Sequence, residues 1–456
     1  MRKLWMLMYI TTFGFASEAV EKAATHSDLT GTWLGVALLF IFVIGYFFIA
    51  AEELYHINKA KPALFIGTFM FMLIGLYFAM NGLDTEILHT EVAHLILEIA
   101  EIFFFLFVAM TYIETLIDRG VFESLKYRLI SKGYSYKKLF WITGLLAFFI
   151  SPVADNLTTA LILSTVLLTI DRTKMEFLVP GAINIVVAAN AGGAWSPFGD
   201  ITTLMAWTAN KGTFVDFLSL FVPSIVGWYA TAWLLSRKVP DGEPPFDVTT
   251  EEKPKIKPGG KVTIYLGVLT IAMAVLGHQF FHIPAMWGMM FGLSLLKLYS
   301  YTMKRQGEKT FDIYASMRLI ENDTLLFFFG ILSAVGALHF VGYLDYITKL
   351  YDIIGPTAGN IGVGFISAIV DNVPVMSAIL KANPSMGLDQ WLLVTLTAGI
   401  GGSMISFGSA AGVGVMGRMK GIYTFGAHMK LAWTILVGYI ISMILWYIQF
   451  EIMGLY

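Results

Sequence analysis

Runs of about 20 apolar residues, the length that crosses a bilayer as a helix, recur along this chain with short polar loops between them. Spans are predicted at about 32–51, 60–81 and 93–115. The loop 52–62 carries Lys59 and Lys61, whereas 82–92 carries Asp84, Glu86 and Glu91 and no Lys or Arg. The next loop, near 116–138, holds Arg119, Lys126, Arg128, Lys132, Lys137 and Lys138. Basic loops stay cytoplasmic, so residues near 30 lie outside. The opening MRKLWMLMYITTFGFASEA reads as a cleavable signal peptide or a short first span, and the parity demands an exported N-terminus in either case.

Residues 139–170 are too long for one span and are interrupted at Pro152–Asn156, with Arg172 and Lys174 just beyond. Basic residues at both ends predict a re-entrant hairpin whose tip is Asp155-Asn156. A span at about 177–209 is interrupted by NAGGAWSPFGDITT, where glycines, Pro197 and Asp200 argue against a continuous helix. A plain span at about 213–236 follows. The hydrophilic, proline-rich stretch 237–261 reads as a cytoplasmic linker.

The plan then repeats. Spans at about 262–281 and 283–299 lead to a basic loop, and a span near 324–345 follows. A hairpin at 354–380 carries Asp371-Asn372 at its tip, a span at 391–416 is broken by GIGGSMISFGSAAG, and a last span covers about 429–450. Gly192-Gly193 aligns with Gly401-Gly402, and Phe198-Gly199-Asp200 with Phe407-Gly408-Ser409. The expected organisation is residues 1–30 as signal peptide or first span, 31–236 as one repeat, 237–261 as linker and 262–456 as a second repeat. The first starts outside and the second inside, so the repeats are inverted. The fold class is an all-α polytopic membrane protein, each repeat carrying a re-entrant hairpin and a broken transmembrane helix.

Composition agrees. Of 456 residues, 57% are hydrophobic and 14% charged, against about 25% charged in a soluble domain. The net charge of −2 points to no nucleic-acid partner, and the absence of cysteine excludes disulfides and thiolate chemistry. No Walker-type signature or catalytic constellation is present, so neither an enzyme nor a cofactor is expected.

A charged side chain at membrane depth costs about 2.5–3.5 kcal/mol on insertion scales and is kept where it lines a protein cavity. Asp155 and Asp371 meet that description, each beside a proline (Pro152, Pro374) expected to break the helix and free backbone carbonyls. Duplicated broken helices with carboxylates mark an ion-coupled secondary transporter. Sodium, a hard ion, wants oxygen ligands. Asp155, Asn156, Thr158, Asn190, Ser196 and Asp200 offer them from the first repeat; Asp371, Asn372, Ser403, Ser406 and Ser409 offer them from the second. Asp155 and Asp200 form the expected core, with Asp371 as the symmetry-related third. One site that holds either Na⁺ or H⁺ would couple the two fluxes by competition for the carboxylates. The aspartates also have a plain reading as caps of half-helices, and Asn190 one as an interhelical bond. Glu98 and Glu101 share a helix face and are candidates for a proton path. His278 and His282 fall in a predicted outer loop and read as ordinary loop histidines.

The strings SPVADNLTTALI, NAGGAWSPFGDITT, SAIVDNVPVMSA and GGSMISFGSAAGVG together resemble the ion transporter superfamily, and within it the NhaD-type sodium/proton antiporters. The resemblance implies exchange of Na⁺ or Li⁺ for H⁺ across a bacterial inner membrane, a homodimer, and a mobile transport domain that moves as an elevator. Dicarboxylate carriers of that superfamily hold Na⁺ with Ser-Asn-Thr at the hairpin tips. Here Asp155 and Asp371 replace the Ser, and Pro374 replaces one Thr. Intramembrane carboxylates would repel a dianion, which favours a cation as substrate. An arsenite or organic-anion carrier of the same superfamily is the alternative.

Overall fold

The computed structural model describes residues 28–50, 52–55, 57–244, 254–308 and 310–455. The expected signal segment falls almost wholly outside them. The described residues form helices and no strand, and 8 helices are long and apolar enough to cross a membrane. Helices Trp33–Ala50, Ala60–Asn81, Gly260–Phe281, Ala285–Arg305 and Asn322–Phe340 lie close to the predicted spans. Several expected loops are largely helix, among them 116–138, which holds Val121–Ile130. The acidic stretch 82–92 is helical from Thr85, because Gly82 at φ 62° ends the preceding helix and the Asp84 carboxylate accepts the Glu86 N–H at 2.8 Å.

The chain divides into two compact units, residues up to Ala100 with Asp323–Lys349, and Glu101–Asn322 with Leu350–Tyr456. Within the first, Ala60–Asn81 and Asn322–Phe340 touch backbone to backbone. A Cβ on Gly67 would overlap the Gly330 carbonyl oxygen, and one on Gly330 would overlap the backbone at Ala63. Small residues allow this approach, which supplies helix association where lipid offers no hydrophobic drive.

The second unit holds both hairpins. The first runs Tyr136–Ala154 and Asn156–Ile170, and its mouth is closed by Tyr136 Oη donating to the Asp171 carboxylate at 2.6 Å. The second runs Pro356–Val370 and Asn372–Ala382, and near its mouth Asn360 accepts from Tyr351 and donates to the Gln390 carbonyl, each at 2.9 Å. Behind each hairpin lies a broken helix, Met175–Gly193 with Ile201–Thr208, then Leu388–Gly401 with Ala410–Arg418. The helices that follow, Phe221–Ser236 and Ala432–Tyr447, cross at Gly227 and Gly438, where a Cβ on either would overlap a hydroxyl of the other helix, Ser442 or Thr231. At the linker, Lys137 pairs with Asp241 at 2.5 Å and Lys257 N donates to Arg119 O at 2.9 Å. Arg119 itself is fully buried and donates to Thr310 O at 2.7 Å.

The hairpins turn at the expected tips, at Asp155 and Asp371, and not at the prolines three residues away. Pro152 lies in the last turn of its arm, and Pro374 lies in the first turn of Asn372–Ala382, where an N–H has no intrahelical acceptor to lose. The turn is made by the aspartates. Asp155 has φ 56° and ψ 163°, and Asp371 has φ 68° and ψ 143°. This backbone region is almost confined to glycine and costs a side-chain-bearing residue about 1–3 kcal/mol. Asp155→Gly is therefore expected to melt at the wild-type temperature or above it, since glycine replaces a cap at a cost of only a few tenths of a kcal/mol. Asp155→Ala keeps the strain and loses the cap, and should melt below both. Equal melting of the two variants in detergent would contradict strain at this tip.

Candidate ion-binding site

Each aspartate turn starts a half-helix inside the protein, so that unpaired N–H groups and the positive end of a helix dipole meet at the tip. At the first tip, the Asp155 carboxylate accepts from the Thr158 N–H and from the Thr158 hydroxyl, both at 2.8 Å. The next residue, Asn156, is 3% exposed and turns its amide inward. Its Nδ2 donates to Asp200 Oδ2 at 2.7 Å and to Asn190 Oδ1 at 3.0 Å. From the second tip, Asn372 Nδ2 reaches the same Asp200 carboxylate at 3.2 Å. A carboxylate only accepts, so both asparagines must present their NH₂ groups to it.

Asp200 is the centre of this arrangement. It caps Ile201–Thr208, accepting from the Thr202 N–H and hydroxyl at 3.0 Å, so the capping and the central position coexist. Asn190 links the two broken helices, donating to Ser403 Oγ at 2.8 Å and Ser409 Oγ at 2.9 Å. Ser409 caps Ala410–Arg418, as Asp200 caps its counterpart. Asp200, Asn156, Asn190, Asn372, Ser403 and Ser409 thus form one buried polar cluster. Ser406 is fully buried nearby in sequence, and its hydroxyl has no hydrogen-bond partner.

Other expected residues lie elsewhere. Ser196 donates to Pro152 O at 2.9 Å, fastening the first break to its hairpin rather than joining the cluster. Thr158 is engaged with Asp155. Asp371 is buried at the second tip. Among the described residues no three His, Asp or Glu side chains converge as a metal-holding group. Glu98 is exposed and Glu101 half-buried on their helix.

The two halves share local geometry down to single atoms. Ser151, four residues before Asp155, donates to Ala189 O at 2.6 Å; Ser367, four before Asp371, donates to Ala398 O at 2.8 Å. A Cβ on Gly192 would overlap the Phe148 carbonyl oxygen, and one on Gly401 would overlap that of Gly364. These glycines let each broken helix lie backbone-to-backbone against its hairpin. The serines and Thr202 are absent from the residues singled out by sequence. The repeated spacing Ser-x-x-x-Asp-Asn was the available signal for the serines.

Duplicated helical hairpins against glycine-broken helices, with a buried carboxylate held by amides from both, define a multi-pass secondary transporter. Comparison with known proteins agrees: a family model described as citrate transporter matches residues 38–401. A Na⁺/H⁺ antiporter NhaD of Vibrio cholerae is 41% identical, covering 96% of this chain and 97% of its own length. Another from Vibrio parahaemolyticus is 43% identical over 84% of this chain and 98% of its own. Sodium/proton antiporter 1 of Arabidopsis thaliana is 31% identical, covering 89% and 71% respectively. The chain belongs to the NhaD family of antiporters.

Proposed function

We propose that this protein exchanges Na⁺ or Li⁺ for H⁺ across a bacterial inner membrane, with cation and proton competing for buried aspartates. The observation that carries the reading is Asp200, a carboxylate 3% exposed that is contacted by an asparagine from each hairpin tip. Such a group belongs to both halves of the site at once, so loading it with a cation or a proton alters the restraint on both hairpins. Asp155 and Asp371 flank it as further carboxylates, and Asn156, Asn190, Asn372, Ser403, Ser406 and Ser409 supply neutral oxygens. The orphaned Ser406 hydroxyl fits that role, because a buried hydroxyl without a partner costs about 1–3 kcal/mol unless a ligand takes it up. Thr158 and Ser196 act through the elements they fasten, and Glu98 and Glu101 line a proton path.

The halves 31–236 and 262–456, joined by the 237–261 linker, serve as inverted repeats for alternating access, in a homodimer with elevator-type movement. The relatives named as Na⁺/H⁺ antiporters support the cation reading over a carboxylate or arsenite cargo. So does the chemistry, since a dianion would meet Asp155, Asp200 and Asp371 without a compensating basic side chain in the cluster.

The direct test is dissipation of a preset pH gradient in proteoliposomes on adding NaCl, LiCl or KCl. Proton flux that depends on Na⁺ or Li⁺ is expected. Absence of flux with every cation over a wide pH range would overturn the proposal, and uptake of citrate or arsenite would then be measured.

A further inference from the structure

The segment 402–409 between Leu388–Gly401 and Ala410–Arg418 has no helix of its own, yet it presents Ser403 and Ser409 to Asn190. Something else must hold it. Ring stacking of Phe407 on Phe425, with centroids 5.8 Å apart, ties it to the short helix Phe425–Met429. His428 of that helix is fully buried and bonded on both ring nitrogens. Nε2 lies 3.1 Å from Met404 O, and Nδ1 lies 2.8 Å from Tyr423 Oη. A carbonyl can only accept, so Nε2 carries the proton, and in the neutral ring Nδ1 accepts from the Tyr423 hydroxyl. Tyr423 is 1% exposed, and its own N–H is fixed on Met419 O at 3.0 Å.

The first half shows what this helix needs for packing alone. Phe214–Leu218 is the counterpart of Phe425–Met429, each capped by a threonine, Thr213 or Thr424. Phe198 meets Phe214 at 6.1 Å as Phe407 meets Phe425. In that register, which also pairs the crossing glycines Gly227 and Gly438, His428 corresponds to Phe217, buried to 1%. A phenylalanine therefore satisfies the packing. The imidazole adds only its hydrogen bonds, at a cost in desolvation that an apolar ring avoids.

We propose that His428 is a positioning residue for the ion site, holding the Met404 carbonyl and through it the 402–409 segment that presents Ser403 and Ser409 to Asn190. The inference rests on the reading that those serines belong to the cation site. It also predicts that the tether is specific to the second half.

The test compares wild type with His428→Phe, the residue of the first half, and His428→Gln, whose amide can donate from nearly the position of Nε2. In His428→Phe, hydrogen exchange of peptides covering 402–409 should quicken by about tenfold, the worth of one buried hydrogen bond, with peptides covering 175–200 unchanged. The half-saturating Na⁺ concentration for proton flux in proteoliposomes should rise by about the same factor, with a smaller change in maximal rate. His428→Gln should recover most of both effects. Wild-type exchange of 402–409 in a folded His428→Phe protein overturns the inference, whatever the transport result. Faster exchange with an unaltered Na⁺ dependence also overturns it, since the segment would then be tethered without consequence for the site. A wild-type protein with no cation-dependent flux would sink the antiport reading, while the exchange measurement would still decide the tether.

Discussion

Asp200→Asn should abolish Na⁺-dependent proton flux while leaving the protein folded. Asparagine is as good a helix cap as aspartate, so its side-chain oxygen can keep the Thr202 N–H that Asp200 now holds at 3.0 Å. Its NH₂ would then face Asn156 Nδ2, which lies 2.7 Å from Asp200 Oδ2, setting donor against donor. Relieving that conflict costs about 1–3 kcal/mol, a fall in melting temperature and not a loss of fold. The transport effect is far larger. At about 2.5 Å and an effective dielectric of about 20, a cation gains roughly 6–7 kcal/mol from a carboxylate. If desolvation cancels half of that, cation affinity still falls by at least about a hundredfold on neutralising the group. The amide also cannot take up and release a proton. Proteoliposome flux together with melting in detergent checks both halves of the expectation, and flux above about a tenth of wild type would remove Asp200 from the centre of the mechanism.

Gly401→Ala is expected to be among the most damaging single-methyl changes in the second half. The new Cβ would overlap the Gly364 carbonyl oxygen and come within 2.5 Å of Gly364 Cα. Both obstacles are backbone, so no side chain can rotate away and the broken helix must part from its hairpin. Overpacking of this kind costs about 1–3 kcal/mol and here moves functional groups as well. Ser403 lies two residues further along, and Ser367 donates to Ala398 O at 2.8 Å across the same interface. A fall in melting temperature with at least about a tenfold loss of flux is expected. Gly362→Ala is the matched control, on the same hairpin arm with open space where its Cβ would lie. It should be neutral or stabilise by about 0.4–1 kcal/mol. If Gly401→Ala matched Gly362→Ala in both stability and flux, the backbone contact would have no mechanical role.

Much of the architecture is legible from residue type alone. Membrane spans require length and apolarity, both local properties, so Ala60–Asn81 and Gly260–Phe281 lie within a residue or two of their predicted limits. The hairpins were legible because basic residues flank an apolar stretch too long for one crossing. The duplicated broken helix was legible because Gly192-Gly193 and Gly401-Gly402 serve the same backbone contact, which no other residue can make. Local chemistry misled at the prolines, since a proline's effect depends on which turn of the helix it occupies. Pro374 sits in a first turn and breaks nothing. The left-handed aspartates could not be read, because Asp tolerates that backbone only when surrounding structure enforces it.

By itself, then, the sequence determined a multi-spanning helical chain with two similar motifs, an aspartate-asparagine pair at each hairpin tip, and a family membership carried by those motifs. Which polar groups share a site was decided only by tertiary structure. Asp200 meets Asn156 across 44 positions of chain and Asn372 across 172. Asn190 meets Ser409 across 219, whereas Thr158 bonds locally to Asp155 and Ser196 ties the first break to Pro152, though both are equally plausible by type. Hydrogen bonds at membrane depth depend on distance and direction between elements, and those are set by how glycine-faced helices pack. His428 shows the same division: only packing brings its imidazole to the Met404 carbonyl.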